Sequence, residues 1–307
     1  MTTALRPMTT GEILDRTFNL YRNNFILFAG IAVLPPALKL ILDLVQLQAN
    51  VAGLSRTMGG SIVASSGSLD SAPLGGGTFL LTLVYLFGLI VATGATVYAV
   101  SMVYLGKDTT IGGSYKGIGA HVLRLIGIFL LMVIIFIGLG ILVIGVPFFI
   151  AVNARSLALL IASMILGSVV LLHLYVCLSV ASSACVVEKT GVISSFNRSM
   201  KLTKGARGKI WLVLLLGFVL NLALTVALIA LVGIIVRTTL SALLATLTFV
   251  LGQFIVGTLV TPIFTVALVL IYYDQRVRKE AFDLQLMMES LGVTAPQAQV
   301  TAATPIG

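Results

Sequence analysis

The sequence predicts an all-α integral membrane protein, a bundle of six transmembrane helices with amphipathic helices on its cytoplasmic surface. Three observations lead there. Only 9% of the residues are charged and mean hydropathy is +1.13, where soluble domains carry about a quarter charged residues. The apolar residues come in runs longer than the roughly 20 needed to cross a hydrocarbon core. Lys and Arg, finally, are concentrated in alternate connections between those runs, as the positive-inside bias predicts.

The predicted spans are 25–47, 78–105, 125–149, 156–186, 210–236 and 242–273, within one membrane domain over 1–290. No cleavable signal peptide is expected, because a polar, charged stretch separates the start of the chain from the first apolar run. Fifteen Lys and Arg fall before the first span and after the second, fourth and sixth. Three, Arg56, Arg155 and Arg237, fall on the other side, and Lys39 lies inside the first span. Both termini are therefore expected in the cytoplasm, which also accounts for the net charge of +9 without nucleic acid.

Ahead of the first span, Thr9 and Glu12 fit a capping box for a helix over 10–23. Ile13, Leu14, Phe18, Tyr21 and Phe25 would form its apolar face, with Glu12 pairing to Arg16 at i,i+4. The Gly/Ser-rich segment 55–77 reads as a flexible outer loop, and the small polar tail 291–307 as disordered. In the fourth connection, Val192, Ile193, Phe196 and Met200 fall in one arc, which predicts a second headgroup-level helix. Gly113-Ser114-Tyr115-Lys116 and Ser194-Ser195-Phe196-Asn197 match at a spacing of 81 residues. The match suggests three repeated units, each a surface helix followed by a transmembrane hairpin. After the last span, i,i+4 pairs Asp274–Arg278, Arg276–Glu280 and Lys279–Asp283 predict a helix continuing through 290, with Val277, Ala281, Leu284 and Met288 on one stripe.

Catalytic signatures are absent: no Walker-type loop, no His-Glu-x-x-His and no Cys-x-x-Cys. No catalytic, metal or cofactor residue is assigned. Cys177 and Cys185, about 12 Å apart on a helix, are too distant for a disulfide and read as buried hydrophobes. His121 is expected on a surface helix. His173 lies inside the fourth span and reads as hydrogen-bonded to a neighbouring helix, the alternative being a functional intramembrane group. Lys39 and Asp43 share a helix face, as a solute contact or as a neutralised pair near the outer headgroups beside the Pro35-Pro36 kink. Asn221 and Gln253 are expected to form helix-to-helix hydrogen bonds.

Three stretches, "LRPMTTGEILDRTFNLYRNNF", "RSMKLTKG" and "YYDQRVRKEAFDLQL", resemble the membrane-domain family named after glycerophosphoryl diester phosphodiesterases. That resemblance implies a six-helix protein of the bacterial cytoplasmic membrane. It carries no phosphodiesterase activity, because that chemistry belongs to a separate soluble barrel which this chain lacks. The functional expectation is a non-catalytic protein organising anionic lipid, or a membrane or cytoplasmic protein partner, through Arg198, Lys201, Lys204, Arg207 and Lys209. The alternative is a transporter or lipid-moving protein with a site among the bent helices near Lys39, Asp43 and His173. An intramembrane enzyme ranks third, since only Asp43 and His173 could act and they lie in different spans.

Overall fold

Apolar length dictates the architecture. In the computed structural model, six helices are long and apolar enough to cross a membrane, and no strand occurs among the described residues, 6–59, 76–239 and 242–290. The tail 291–307 and most of the predicted loop 55–77 lie outside them. In chain order the helices are α1 (Thr10–Asn23), α2 (Phe25–Ala32), α3 (Leu34–Gly59), α4 (Gly76–Tyr104) and α5 (Ile111–Ile118). They continue with α6 (Val122–Gly140), α7 (Val146–Asn153), α8 (Leu157–Leu178), α9 (Ala181–Glu188) and α10 (Val192–Thr203). The last three are α11 (Arg207–Thr239), α12 (Ala242–Glu280) and α13 (Phe282–Ser290). The core runs through α4, α9 and α12, where Val97, Val100, Ala184, Leu270 and Tyr272 are fully buried.

The long helices are interrupted where backbone donors run out. Proline has no N–H to give to the carbonyl four residues back, so Pro35 releases the carbonyl of Ile31. α2 ends at Ala32, and the Tyr115 hydroxyl of α5 donates to the Ile31 oxygen at 2.8 Å. Pro262 sits inside α12 without ending it, and the Tyr21 hydroxyl of α1 donates to the nearby Leu259 oxygen at 3.0 Å. A π-helical segment, Ile141–Gly145, absorbs the approach to Pro147 between α6 and α7. α8 gives way to α9 at Ser179–Val180, and Ser199 and Thr203 of α10 both donate to the Cys177 oxygen there, at 2.8 and 3.3 Å. Thus α1, α5 and α10 each bring side-chain hydroxyls to backbone carbonyls beside a proline or a helix break.

That role changes which faces are buried. α1 matches its predicted range, with the capping box closed in both directions. It buries Ile13, Thr17 and Tyr21, however, and leaves Phe18 and Phe25 exposed. Glu12 pairs with Arg6 at 2.6 Å rather than Arg16, whose guanidinium lies over the Tyr104 ring instead. α10 buries Ser195, Phe196, Ser199, Leu202 and Thr203, while Ile193 is 71% exposed and Met200 faces outward. Of the apolar arc Phe196 turns inward and Ile193 and Met200 outward, because the hydroxyl side of α10 reaches Cys177. Beyond α12 the chain turns at Ala281, in the left-handed region at φ 49°, so the expected continuous helix to 290 is two helices. Lys279 accordingly misses Asp283 and donates to the carbonyls of Lys201, Leu202 and Lys204.

Candidate functional site

Two polar regions stand out, one at the end where α1, α5, α10 and α13 gather, the other among the spans. The first is a network of charges. The Asp274 side chain, 0% exposed, accepts from the Met8 backbone N–H at 2.8 Å, Lys209 Nζ at 2.9 Å and Arg278 Nε at 3.0 Å. Lys209 and Arg278 then donate to the Met8 carbonyl at 2.8 and 2.7 Å. Both polar groups of the Met8 backbone are thereby held by α11 and α12.

A second cluster joins α9, α10 and α12. Glu188 accepts from Arg198 Nε at 2.8 Å and from the Tyr272 hydroxyl at 2.7 Å. Glu280 accepts from Arg198 at 2.6 Å and Arg276 at 3.3 Å. Arg276 also lies 3.8 Å above the Phe282 ring, which ties α13 to α12. Burial opposes the Arg198 charge, but the hydrogen bonds to Glu280 and Glu188 prevail and raise its pKa.

Of the five basic residues expected to face lipid or a partner, Arg198 and Lys209 are therefore spent within the protein. Lys201 and Lys204 are exposed. Arg207 Nη1 lies 3.3 Å from His173 Nε2, so the structure joins two residues singled out for different reasons. His173 sits on the exposed side of α8 and does bond a neighbouring helix. His121 is buried in a 3-10 turn. Cys177 and Cys185 are free and buried.

The second region is a half-open chamber of about 570 Å³ between α4, α6, α8, α9, α11 and α12. Its walls are apolar, with Phe129, Met132, Phe218 and Phe264, and its polar groups are all uncharged: Thr93, Tyr175, Ser179, Ser182, Ser183, Asn221, Thr261 and Thr265. Tyr175 and Asn221 stand on its open side, and neither they nor Ser182 make a side-chain hydrogen bond among the described residues. Asn221 and Gln253 were expected to bridge helices; each instead lines a cavity without a partner among the described residues. The α11–α12 wall is as close as it is because Gly217 has no side chain: a Cβ there would lie 1.4 Å from Phe264.

A smaller cavity of about 170 Å³ adjoins the chamber, the two sharing Leu89, Thr93, Thr261 and Thr265. Its lining includes Gln253, Tyr85 and the Lys39–Asp43 pair, closed at 2.6 Å with Lys39 half exposed. Among the described residues no group of three or more His, Cys, Asp and Glu converges as a metal site. Sequence reasoning missed the chamber because its polar groups come from five helices. The only signal was their lack of a charge partner.

The chain belongs to the family described as a domain of unknown function, DUF8558, whose model matches residues 77–298. The chamber lies wholly within the matched segment, whereas Met8, Lys39 and Asp43 lie before it. No curated protein and no solved structure matches the chain.

Proposed function

We propose that this member of the DUF8558 family is a non-catalytic, multi-pass membrane protein that holds an amphiphilic membrane component in its chamber. The chamber itself carries the reading: apolar walls beside uncharged hydrogen-bonding groups left without partners. An unmet polar group in a low-dielectric site is costly, and an amphiphile with a polar portion and an apolar body meets both surfaces at once. The neighbouring cavity, sharing four residues with the chamber, gives such a molecule a second station toward Lys39 and Asp43. This is the lipid-moving alternative, and it displaces the basic face as the main site because Arg198 and Lys209 are consumed by internal ion pairs.

In this reading the charged end faces the cytoplasm of a bacterial inner membrane, by the Lys/Arg bias and by the resemblance to the phosphodiesterase-named membrane domains. A thiol label on N153C should then react from outside and one on K201C only after permeabilisation. The three repeated units are supported by α5 and α10 starting 81 residues apart. Thr109···Ser114 and Thr190···Ser195 contacts precede and enter those helices identically, at 3.3 and 2.8 Å.

The test is mass spectrometry of the protein extracted gently in native lipid. The wild type should carry a stoichiometric amphiphile that S182F, which fills the chamber, has lost at unchanged thermal stability. Equal lipid content in both would remove the chamber as the site. A second reading, a scaffold, draws on Lys201 and Lys204 exposed beside Ile193 and Met200 on α10. A protein partner lost on K201E/K204E but kept by S182F would favour it.

A further inference from the structure

We infer that the amphiphile in the chamber is an anionic phospholipid whose phosphate is received by Arg207 and His173 at the seam between α8 and α11. The inference rests on the chamber being an amphiphile site and adds the class of molecule.

Helical geometry connects the two places. Leu214, Phe218 and Asn221 line the chamber from α11. Arg207 precedes them by 7, 11 and 14 residues, spacings that return to the same helix face. Arg207 therefore begins the stripe that forms this wall, about 21 Å from Asn221 at 1.5 Å per residue. Half of a hydrocarbon core is roughly 15 Å, so a lipid with its phosphate at Arg207 reaches along the stripe to Asn221. Across the seam, α8 contributes His173 to the head position and Tyr175 and Leu178 to the chamber wall.

Charge is the second argument. Arg207 makes no ion pair with any described carboxylate, because Asp274 is taken by Lys209 and Arg278, and Glu188 and Glu280 by Arg198 and Arg276. Arg207 Nε is buried with no hydrogen-bond partner. A guanidinium always carries its charge, and a buried charged donor left unmet is strongly unfavourable. His173 occupies only one Nη1 position and supplies no negative charge. Nε is closed off, so the position left to a phosphate is Nη2, which makes no hydrogen bond among the described residues and is not shut in.

The chamber itself accounts for the rest of the molecule. It holds no ionisable group of opposite sign, so a second charged headgroup would find no partner inside. An acyl chain suits the Phe129, Met132 and Phe264 walls, and its far end reaches the level of Asn221. A zwitterionic lipid offers the same phosphate but brings an extra cation toward Arg207.

The experiment uses the full chain in nanodiscs of equimolar phosphatidylglycerol and phosphatidylcholine with matched acyl chains. Native mass spectrometry after delipidating washes counts the retained lipid. Wild type should retain phosphatidylglycerol with roughly tenfold preference, because phosphatidylcholine brings its cation beside the Arg207 charge. R207Q should retain lipid with that preference collapsed to about one, and R207K should keep part of it, which preserves the test should R207Q misfold. H173L should weaken the preference less than R207Q. If R207Q keeps the full preference, the headgroup assignment is wrong while the chamber reading stands. If wild type and S182F retain equal lipid, both fall. Displacement of the lipid by millimolar inorganic phosphate would mean a soluble-phosphate site and would overturn the lipid assignment.

Discussion

The charged end and the chamber are built from the same material, polar side chains within a largely apolar bundle, but they handle it in opposite ways. At the charged end the carboxylates are answered. Asp274 is closed off and accepts from Met8, Lys209, Gln275 and Arg278, while Glu188 and Glu280 each bond more than one donor. In the chamber, Tyr175, Ser182 and Asn221 present hydroxyl and amide groups that nothing among the described residues answers. Burial separates them too, since Asp274 is shut in while Tyr175 and Asn221 are exposed. A satisfied polar cluster in low dielectric fixes one geometry. The first region therefore defines the fold, and the second keeps hydrogen-bonding groups open.

Removing a partner at the charged end should produce the largest effect. Asp274→Ala would leave Lys209, Arg278 and the Met8 backbone around a carboxylate that is gone, costing about 3–5 kcal/mol. Chemical unfolding in detergent measures it, and a loss below about 1 kcal/mol would show that the network is dispensable. Asn221→Leu should do the reverse. It deletes an amide with no partner, so stability should stay within about 0.5 kcal/mol while retained lipid falls in the same preparation. A loss of several kcal/mol would mean the amide is satisfied structurally, and the contrast between the regions would collapse.

The smallest effect concerns the α1 cap. Hydrogen bonds from the Thr9 backbone and hydroxyl, and the nearby Arg6, lower the Glu12 pKa below its ordinary 4.5. A depressed carboxylate stabilises the fold above its unfolded pKa and loses that contribution as pH falls through the folded value. Amide exchange at residues 10–13 should therefore speed up, beyond its intrinsic pH dependence, only on acidification below that ordinary value. Unchanged protection there would show that burial of Ile13 alone holds the helix start.

What was legible in the sequence follows the range of the interactions. Six long apolar helices and the Thr9/Glu12 capping box are local patterns, and the structure shows both; the third apolar helix begins at Ile111 and the sixth runs on to Glu280, past the bounds hydropathy alone suggests. Faces were less legible. The arc of Ile193 and Met200 obeys helical periodicity, yet α10 turns its Ser199 and Thr203 side inward because a break 22 residues earlier needs donors. Hydropathy has no symbol for that need. The Arg207–His173 contact spans 34 positions and two helices, so both residues drew notice singly, each under a different reading. Asn221 and Gln253 were assigned partners by rule, and only three-dimensional placement shows a cavity where the partner was expected.

The hold on Met8 has a consequence in time. Its backbone is fixed by Asp274, which lies 266 residues later in the chain. At synthesis rates of about 5–20 residues per second, roughly 13–53 s separate the two on the ribosome. For that interval α1 exists without this anchor, and five of the six long apolar helices are made before the sixth delivers it. The Met8 contact is thus among the late steps of folding. A molecule whose α12 fails to pack leaves the segment before α1 loose at the charged end.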